Sequence, residues 1–344
     1  MTGKDILLSI CISSYNRGKL CTELVHNILK IQDDRYNIFI CDDCSDDSEF
    51  AELLTMQNDK VSLIRNVKNK GACPNWYQTI NCGDGQYILH ILDRDQIFVD
   101  YIIYLLEILE NSLIAGGYVG ISAMSLTHTV GGNTDYEVLK KGRDAFVAMA
   151  GVPVHPTGFL VKREYWQRGN FKRFFYDQKK YGIYPHSYVL GELAIQADML
   201  YMPVVLWKSS YRGSNRYSHF YEKSDRKEYW WLPDSVIKAA NSLILYLYPL
   251  ADDEYREEFL RNRLRECIYR STIGYRNMAA KKSEMDHYRL EVSNVSKSKM
   301  ILILLKYRII FSHILKKTGR KNGLNNRSFV SAWKQGFLDI LRAV

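Results

Sequence analysis

The first hundred residues alternate between two hydrophobic periodicities, and this alternation limits the folds open to the chain more than any other feature. "ILLSICIS" (6–13) is a short continuous apolar run suited to a buried strand, after which Leu20, Leu24, Ile28 and Ile31 recur at helical spacing. "NIFICDD" (37–43) reads as the next strand, followed by a helix near 46–57, the strand "VSLIRN" (61–66), a helix beginning near Pro74, and the strand "YILHILD" (87–93). Strands that are apolar throughout, separated by amphipathic helices, predict an α/β fold with a mostly parallel central sheet covered on both faces. In such sheets ligands lie outside the carboxyl ends of the strands. "SSYNR" (13–17), "CDDCSDD" (41–47) and "DRD" (93–95) all fall at those ends, so three polar clusters are expected on one sheet edge.

The length of 344 residues, with 47% hydrophobic and 25% charged content, provides a sizeable core and argues against disorder on a large scale. Seven cysteines, an odd number lying mostly in apolar elements, and the lack of a secretory pattern before Ile6 fit a reducing cytoplasm. Cys41 and Cys44 form a CxxC, but two acids fill the gap and no second pair stands at zinc spacing. The cysteines therefore read as small buried side chains.

From 117 to 220 the pattern is irregular: "YVGISAMSL" reads as a strand, "GGNTD" as a turn, and "GVPVHPTGFLVKREYW" as a loop feeding a further strand. After "WWLPD" the composition shifts, with Pro233 placed to open a helix and helical sequence beyond it. A boundary near 225 divides a catalytic-type α/β domain (1–225, with halves 1–98 and 99–225) from a helical region (226–344). The net charge of +9 is concentrated in that region: from Ser296 onward eleven Lys or Arg face one acid, Asp339, for a net +10, while residues 1–295 carry −1. An anionic membrane surface, nucleic acid or an acidic protein face are the partners such a tail fits.

Asp93 and Asp95 are separated by one residue at a strand end. If the strand persisted they would share a face, and a turn could aim both at one ion. Carboxylate oxygens suit Mg2+ or Mn2+, which take further ligands from a substrate's phosphates. Taken alone, the pattern is better explained by a turn with two solvated acids. With its neighbours it is more specific: "LLSICISSYNR" (7–17), "ICDDCSDD" (40–47), "NKGACPNW" (69–76) and "DGQYILHILDRD" (84–95) resemble, in order, the nucleotide-sugar half of family 2 glycosyltransferases, whose fold is called GT-A. The resemblance implies that Ser13, Tyr15, Arg17, Asn69, Gly71 and Asn75 line a nucleotide pocket. It also implies that Asp42 or Asp43 hydrogen-bonds the base, that Asp93 contacts ribose or metal, and that Asp95 ligates the metal. The acids of 42–47 also suit capping of the next helix, with Ser45 or Asp46 as N-cap. Ser13 stands where the family usually has proline, and Arg94, between the two acids, faces either a phosphate or solvent.

Inverting members of the family use a base, usually the Asp of a Glu-Asp pair, about 18 residues before a strand that "MLYMPVVLW" (199–207) matches. Counting back from Pro203 gives Pro185-His186, where both acids are missing. His186 has the chemistry to replace a carboxylate, and Glu192 is the second candidate, about 120° away on a helix. His186 reads equally as a ring packed on the sheet. His155, in "VHPTG", resembles the family's acceptor-side loop, and His219 is a candidate third metal ligand; both also read as polar surface. The tail segment 299–317 places Ile303, Tyr307, Ile310, Phe311 and Ile314 on one stripe opposite Lys299, Lys306, His313 and Lys317. It is too short and too charged to span a bilayer, but suits either an interfacial helix or packing on the catalytic domain.

The expectation is a metal-dependent glycosyltransferase of the inverting kind. It would move a sugar from UDP or another nucleoside diphosphate to a glycan or lipid-linked oligosaccharide in surface polysaccharide synthesis, in the cytoplasm or on the inner face of the plasma membrane. A nucleotidyltransferase would need a glycine-rich phosphate loop after the first strand, and none is there. A nucleic-acid-binding protein using the tail would need a reading motif, which the tail lacks.

Overall fold

The computed structural model describes residues 6–120, 134–151, 155–204, 206–209, 232–283, 295–308 and 326–342. The chain forms two compact units, 1–179 with 184–213, and 180–183 with 214–344. The position near 225 lies outside the described residues.

In the first unit each predicted element of the amino-terminal half forms: β1 (Leu8–Ser14), α1 (Gly18–Ile28), β2 (Tyr36–Asp42), α2 (Asp47–Leu54), β3 (Val61–Arg65), α3 (Ala72–Cys82) and β4 (Tyr87–Leu92). There follow β5 (Asp95–Ile97), α4 (Val99–Glu110), β6 (Gly116–Val119), β7 (Glu137–Leu139), α5 (Arg143–Met149) and β8 (Phe159–Lys162). The remaining elements to residue 209 are α6 (Arg163–Arg168), α7 (Lys172–Tyr176), α8 (Gln178–Tyr181), α9 (Pro185–Ala194), β9 (Met199–Met202) and β10 (Trp207–Ser209). Of the predicted strand "YVGISAMSL", β6 accounts for 118 and 119, and 121–126 lie outside the described residues.

Eight strands make one sheet in the order β3-β2-β1-β4-β8-β6-β9-β7, and β10 pairs with β5 in a separate two-stranded ribbon. β1 to β4 are mutually parallel where they pair, whereas β8 runs antiparallel to both β4 and β6. Central strands buried on both faces need apolar residues at every position, which is why β1, β2 and β4 read as runs rather than alternations. Leu8, Ile10, Ile12, Ile38, Ile40, Leu89 and Ile91 are fully buried in this core. The register aligns Ser13 with Cys41 and with Leu92, and Ser14 with Asp42. The polar ends of three strands therefore finish in one row.

The second unit contains α10 (Pro233–Leu247), α11 (Arg256–Ser271), α12 (Ile273–Ser283), α13 (297–308) and α14 (Asn326–Arg342). Pro233 opens α10, as its fixed φ and missing N–H favour. Tyr307, on the expected apolar stripe, is fully buried with Met300 and Leu304, and it lies against Cys267 of α11, within the helical unit. Trp333 Nε1 donates to the Leu304 carbonyl at 3.4 Å, joining α14 to α13. Residues 309–317 of the expected stripe lie outside the described residues. No helix among the described residues is long and apolar enough to cross a membrane.

Candidate active site at the sheet edge

The two acids of "DRD" part company. Asp93 leaves β4 toward the β1–α1 loop: Arg17 Nη1 donates to its Oδ1 at 3.1 Å and Oδ2 at 3.3 Å, and the Tyr15 N–H donates to Oδ2 at 3.2 Å. Asp95, the first residue of β5, turns toward the 155–158 loop instead. The Thr157 hydroxyl accepts the Leu92 N–H at 2.9 Å and donates to Asp95 Oδ2. His155 Nε2 stands 3.7 Å from the same oxygen. Asp95 Oδ1 is buried and has no hydrogen-bond partner among the described residues. Desolvation lifts the Asp95 carboxyl to about 7, opposed by the Thr157 hydrogen bond and the Arg94 charge, with Asp93 adding to the rise.

Asp42 and Asp43 face inward. Asp42 is completely buried; it accepts the Ser45 N–H at 3.0 Å and the Ser45 hydroxyl. Burial raises its pKa, against the pull of those two hydrogen bonds. Asp43 accepts Asn66 Nδ2 at 2.9 Å, the Lys70 N–H at 2.8 Å and the Gly71 N–H at 2.9 Å, so it ties the β3–α3 loop to β2. Gly71 has φ of 89°, a left-handed backbone that favours glycine. Asn69 Oδ1 accepts the Gly71 N–H at 3.0 Å. Asn75 spends its amide inside the fold, Nδ2 on the Cys41 carbonyl at 3.1 Å and Oδ1 on Asn66 at 2.9 Å. Asp42, Asp43 and Asn75 thus build the walls of the edge at which Asp42 or Asp43 was expected to meet the base and Asn75 to line the nucleotide pocket. Asp46 is the N-cap of α2 by position, though its side chain makes no cap hydrogen bond.

Tyr15 is 37% exposed, with its backbone anchored on Asp93, so its ring borders the open edge. Ser13 bonds His90 Nε2 at 3.0 Å, and His90 Nδ1 lies 3.3 Å from the Pro156 carbonyl. A carbonyl only accepts, so Nδ1 carries the proton and Nε2 accepts from Ser13. Complete burial holds His90 neutral, with its pKa lowered to about 3. Trp76 stacks on it at 4.6 Å between ring centroids.

The two expected bases are placed differently from each other. His186, in the first turn of α9, is fully buried. Its ring packs beside Trp76 at 4.9 Å, Phe159 at 6.2 Å and Tyr184 at 6.3 Å. This is the packed-ring alternative. Glu192 pairs with Arg173 of α7 at 2.5 Å and keeps 15% of its side chain exposed. His155 accepts the Thr157 N–H on Nδ1 at 3.2 Å, so in its neutral form the proton sits on Nε2, the atom facing Asp95. Its pKa is lowered to about 3, first by desolvation and then by Arg94. His219 lies outside the described residues.

Thr157 is the site residue that sequence reasoning missed. "VHPTG" drew attention to its histidine, and nothing in the string shows that the threonine would bridge β4 to Asp95.

For a divalent ion the test is whether these groups offer it oxygen. Among the described residues no three His, Cys, Asp or Glu side chains are grouped to hold a metal. Asp93 spends both oxygens on Arg17 and Tyr15. Asp95 fits: a desolvated carboxylate with one unpartnered oxygen lacks the positive charge that a hard cation brings. The fit is to an ion that draws its other ligands from phosphate and water.

The sequence profile described as Glycosyl transferase family 2 matches residues 9–186. WcaA of Escherichia coli K12, a glycosyl transferase named for colanic acid biosynthesis, is 33% identical over 92 residues, covering 26% of this chain and 33% of its own. WfgD of Escherichia coli, a UDP-Glc:alpha-D-GlcNAc-diphosphoundecaprenol beta-1,3-glucosyltransferase, is 27% identical over 95 residues, 28% of this chain and 37% of its own. The chain thus matches about a third of the length of these relatives. The mannosyltransferase PcManGT from Pyrobaculum calidifontis, solved with GDP-Man and Mn2+, superposes with a TM-score of 0.50 at 13% identity over 97% of this chain and 85% of its own. At that identity the likeness speaks for the fold alone. Because the profile runs from β1 to the first turn of α9, more than half of the sequence, the chain belongs to glycosyl transferase family 2 and carries its GT-A fold.

Proposed function

We propose that the chain transfers a sugar from a nucleoside diphosphate, uridine diphosphate first, to a hydroxyl of a glycan or lipid-linked oligosaccharide in surface polysaccharide synthesis, on the cytoplasmic side of the membrane. The observation that carries this reading is the parting of Asp93 and Asp95 to two walls of one edge, with Arg17 and Tyr15 on one wall and Thr157 and His155 on the other. The nucleoside lies against Tyr15 and the loop that Asp43 holds, and Arg17 and Arg94 face its phosphates. Asp95 holds Mn2+ or Mg2+. When bound, such an ion offsets the charge that grows on the leaving diphosphate.

Transfer is a single displacement with inversion. The acceptor oxygen bonds the anomeric carbon as the bond from that carbon to the β-phosphate oxygen breaks, and the hydroxyl proton passes to a base. Glu192, which keeps contact with solvent, is favoured over the enclosed His186. His155 Nε2–H serves as a hydrogen-bond donor on the phosphate side.

The test is a thermal-shift comparison of UDP, UDP-sugars and GDP-sugars with and without Mn2+. Ligands of the folded state raise its melting temperature, and a UDP-sugar with Mn2+ is expected to raise it most. Asp95→Asn should abolish the Mn2+-dependent part while leaving a shift from nucleotide alone. An unchanged Mn2+ increment in that variant removes Asp95 from the metal. Glu192→Gln should bind donor normally and stop transfer. Normal turnover there, with loss in His186→Ala, returns the proton to the imidazole.

A further inference from the structure

The two described tail helices share a pattern that folding does not require. At about 100° per residue, Met300, Leu304 and Tyr307 form one pole of α13, and all three are buried. The opposite pole carries Leu302 and Leu305, which are 65% and 42% exposed. Lys299 and Lys306 flank that pole on one side and Arg308 on the other, all exposed. Helix α14 repeats the arrangement, with Ala332, Gly336 and Ile340 buried within and Val330, Leu338 and Leu341 outside, each 43% exposed, alongside Lys334 and Arg342. Trp333 connects the two helices: its Nε1 reaches Leu304 O, the Arg308 guanidinium lies over its ring at 5.5 Å, and Phe337 stacks on it at 5.9 Å.

From this geometry we propose that the outward poles of α13 and α14 dock the chain on an anionic lipid surface. The inner poles supply the fully buried contacts, while the five outward aliphatic side chains keep 42–65% of their surface exposed. Charge decides the occupant. Residues 296–344 carry a net +10, and the basic side chains stand beside the leucines, as in a helix that sinks its apolar pole among headgroups while its cations meet lipid phosphates. A nucleic acid would meet the cations but leave the leucines wet. Part of the positive charge is already engaged, since Lys306 Nζ lies 2.6 Å from Asp234 Oδ1. The proposal uses none of the donor-site assignments.

The experiment is co-sedimentation of the full chain with vesicles of phosphatidylcholine alone and with about a third phosphatidylglycerol. Binding is expected only with the anionic lipid and should weaken as salt rises. The double variant Leu302→Glu/Leu305→Glu should bind at least about tenfold more weakly, with an unchanged circular dichroism spectrum and melting temperature because both positions point outward. Leu338→Glu/Leu341→Glu should do the same. Undiminished vesicle binding by both variants overturns the proposal. So does light scattering that shows the wild type as a dimer which these variants split, or binding to duplex DNA as tight as to vesicles. Vesicle binding without a nucleotide shift would sink the donor site and spare this surface, and the reverse result would do the opposite.

Discussion

Thr157 has one hydroxyl and two tasks, and this makes it the most informative single position in the site. Thr157→Val keeps the shape but leaves the Leu92 N–H without an acceptor and Asp95 without its donor. The expected loss is about 1–3 kcal/mol of stability in urea titrations, together with a smaller donor-induced thermal shift. Thr157→Ser should recover most of both. His90 gives the pH prediction. Its folded pKa of about 3 lies below the ~6.5 of an exposed histidine, so the unfolded chain takes up a proton that the folded chain refuses. Stability is full above about 6.5 and declines toward 3, at about 1.4 kcal/mol per pH unit from this group. Urea midpoints at pH 7 and pH 5 should differ less in His90→Gln than in the wild type. The sequence named the titrating and charged residues of the edge, because acids at strand ends are conspicuous. It was silent on direction: Asp42 and Asp43 look as available as Asp93, and only the fold turns them onto Ser45 and the loop at 66–71.

Among the elements, β8 does the most to shape the site. It runs against β4 and β6, and the loop leading into it delivers His155 and Thr157 to Asp95. Gly158 makes that approach possible. Its φ is 98°, and an added Cβ would overlap the Val119 carbonyl oxygen, so Gly158→Ala should cost about 3 kcal/mol or more and reduce donor binding with it. The melting temperature and the nucleotide shift check this together. The strands and helices to residue 93 were legible because their periodicities are long and repeated. The segment from 117 to 220 was less legible: β8 and β9 fall in expected strands, but a strand of three residues such as β7 carries too few side chains to show a period. In the tail helix the sequence left open which face packs inward. Tyr307 and Leu302 are both apolar enough to sit on either side, and what decides between them is the neighbouring helix carrying Cys267.

For the whole molecule, two units with separate cores predict two calorimetric transitions. UDP with Mn2+ should move the one belonging to the sheet and leave the other in place, and a joint shift would mean that the units melt as one. The division of charge follows the same line, a near-neutral body and a basic helical end, so net charge by itself says little about the donor site. A last consequence comes from the single residue between Asp93 and Asp95. Because one acid serves the Arg17 wall and the other the Thr157 wall, Arg94 is the spacer that fixes how far apart the two proposed grips on the donor stand. Lengthening it by one glycine would leave every side chain present and put the two grips out of step.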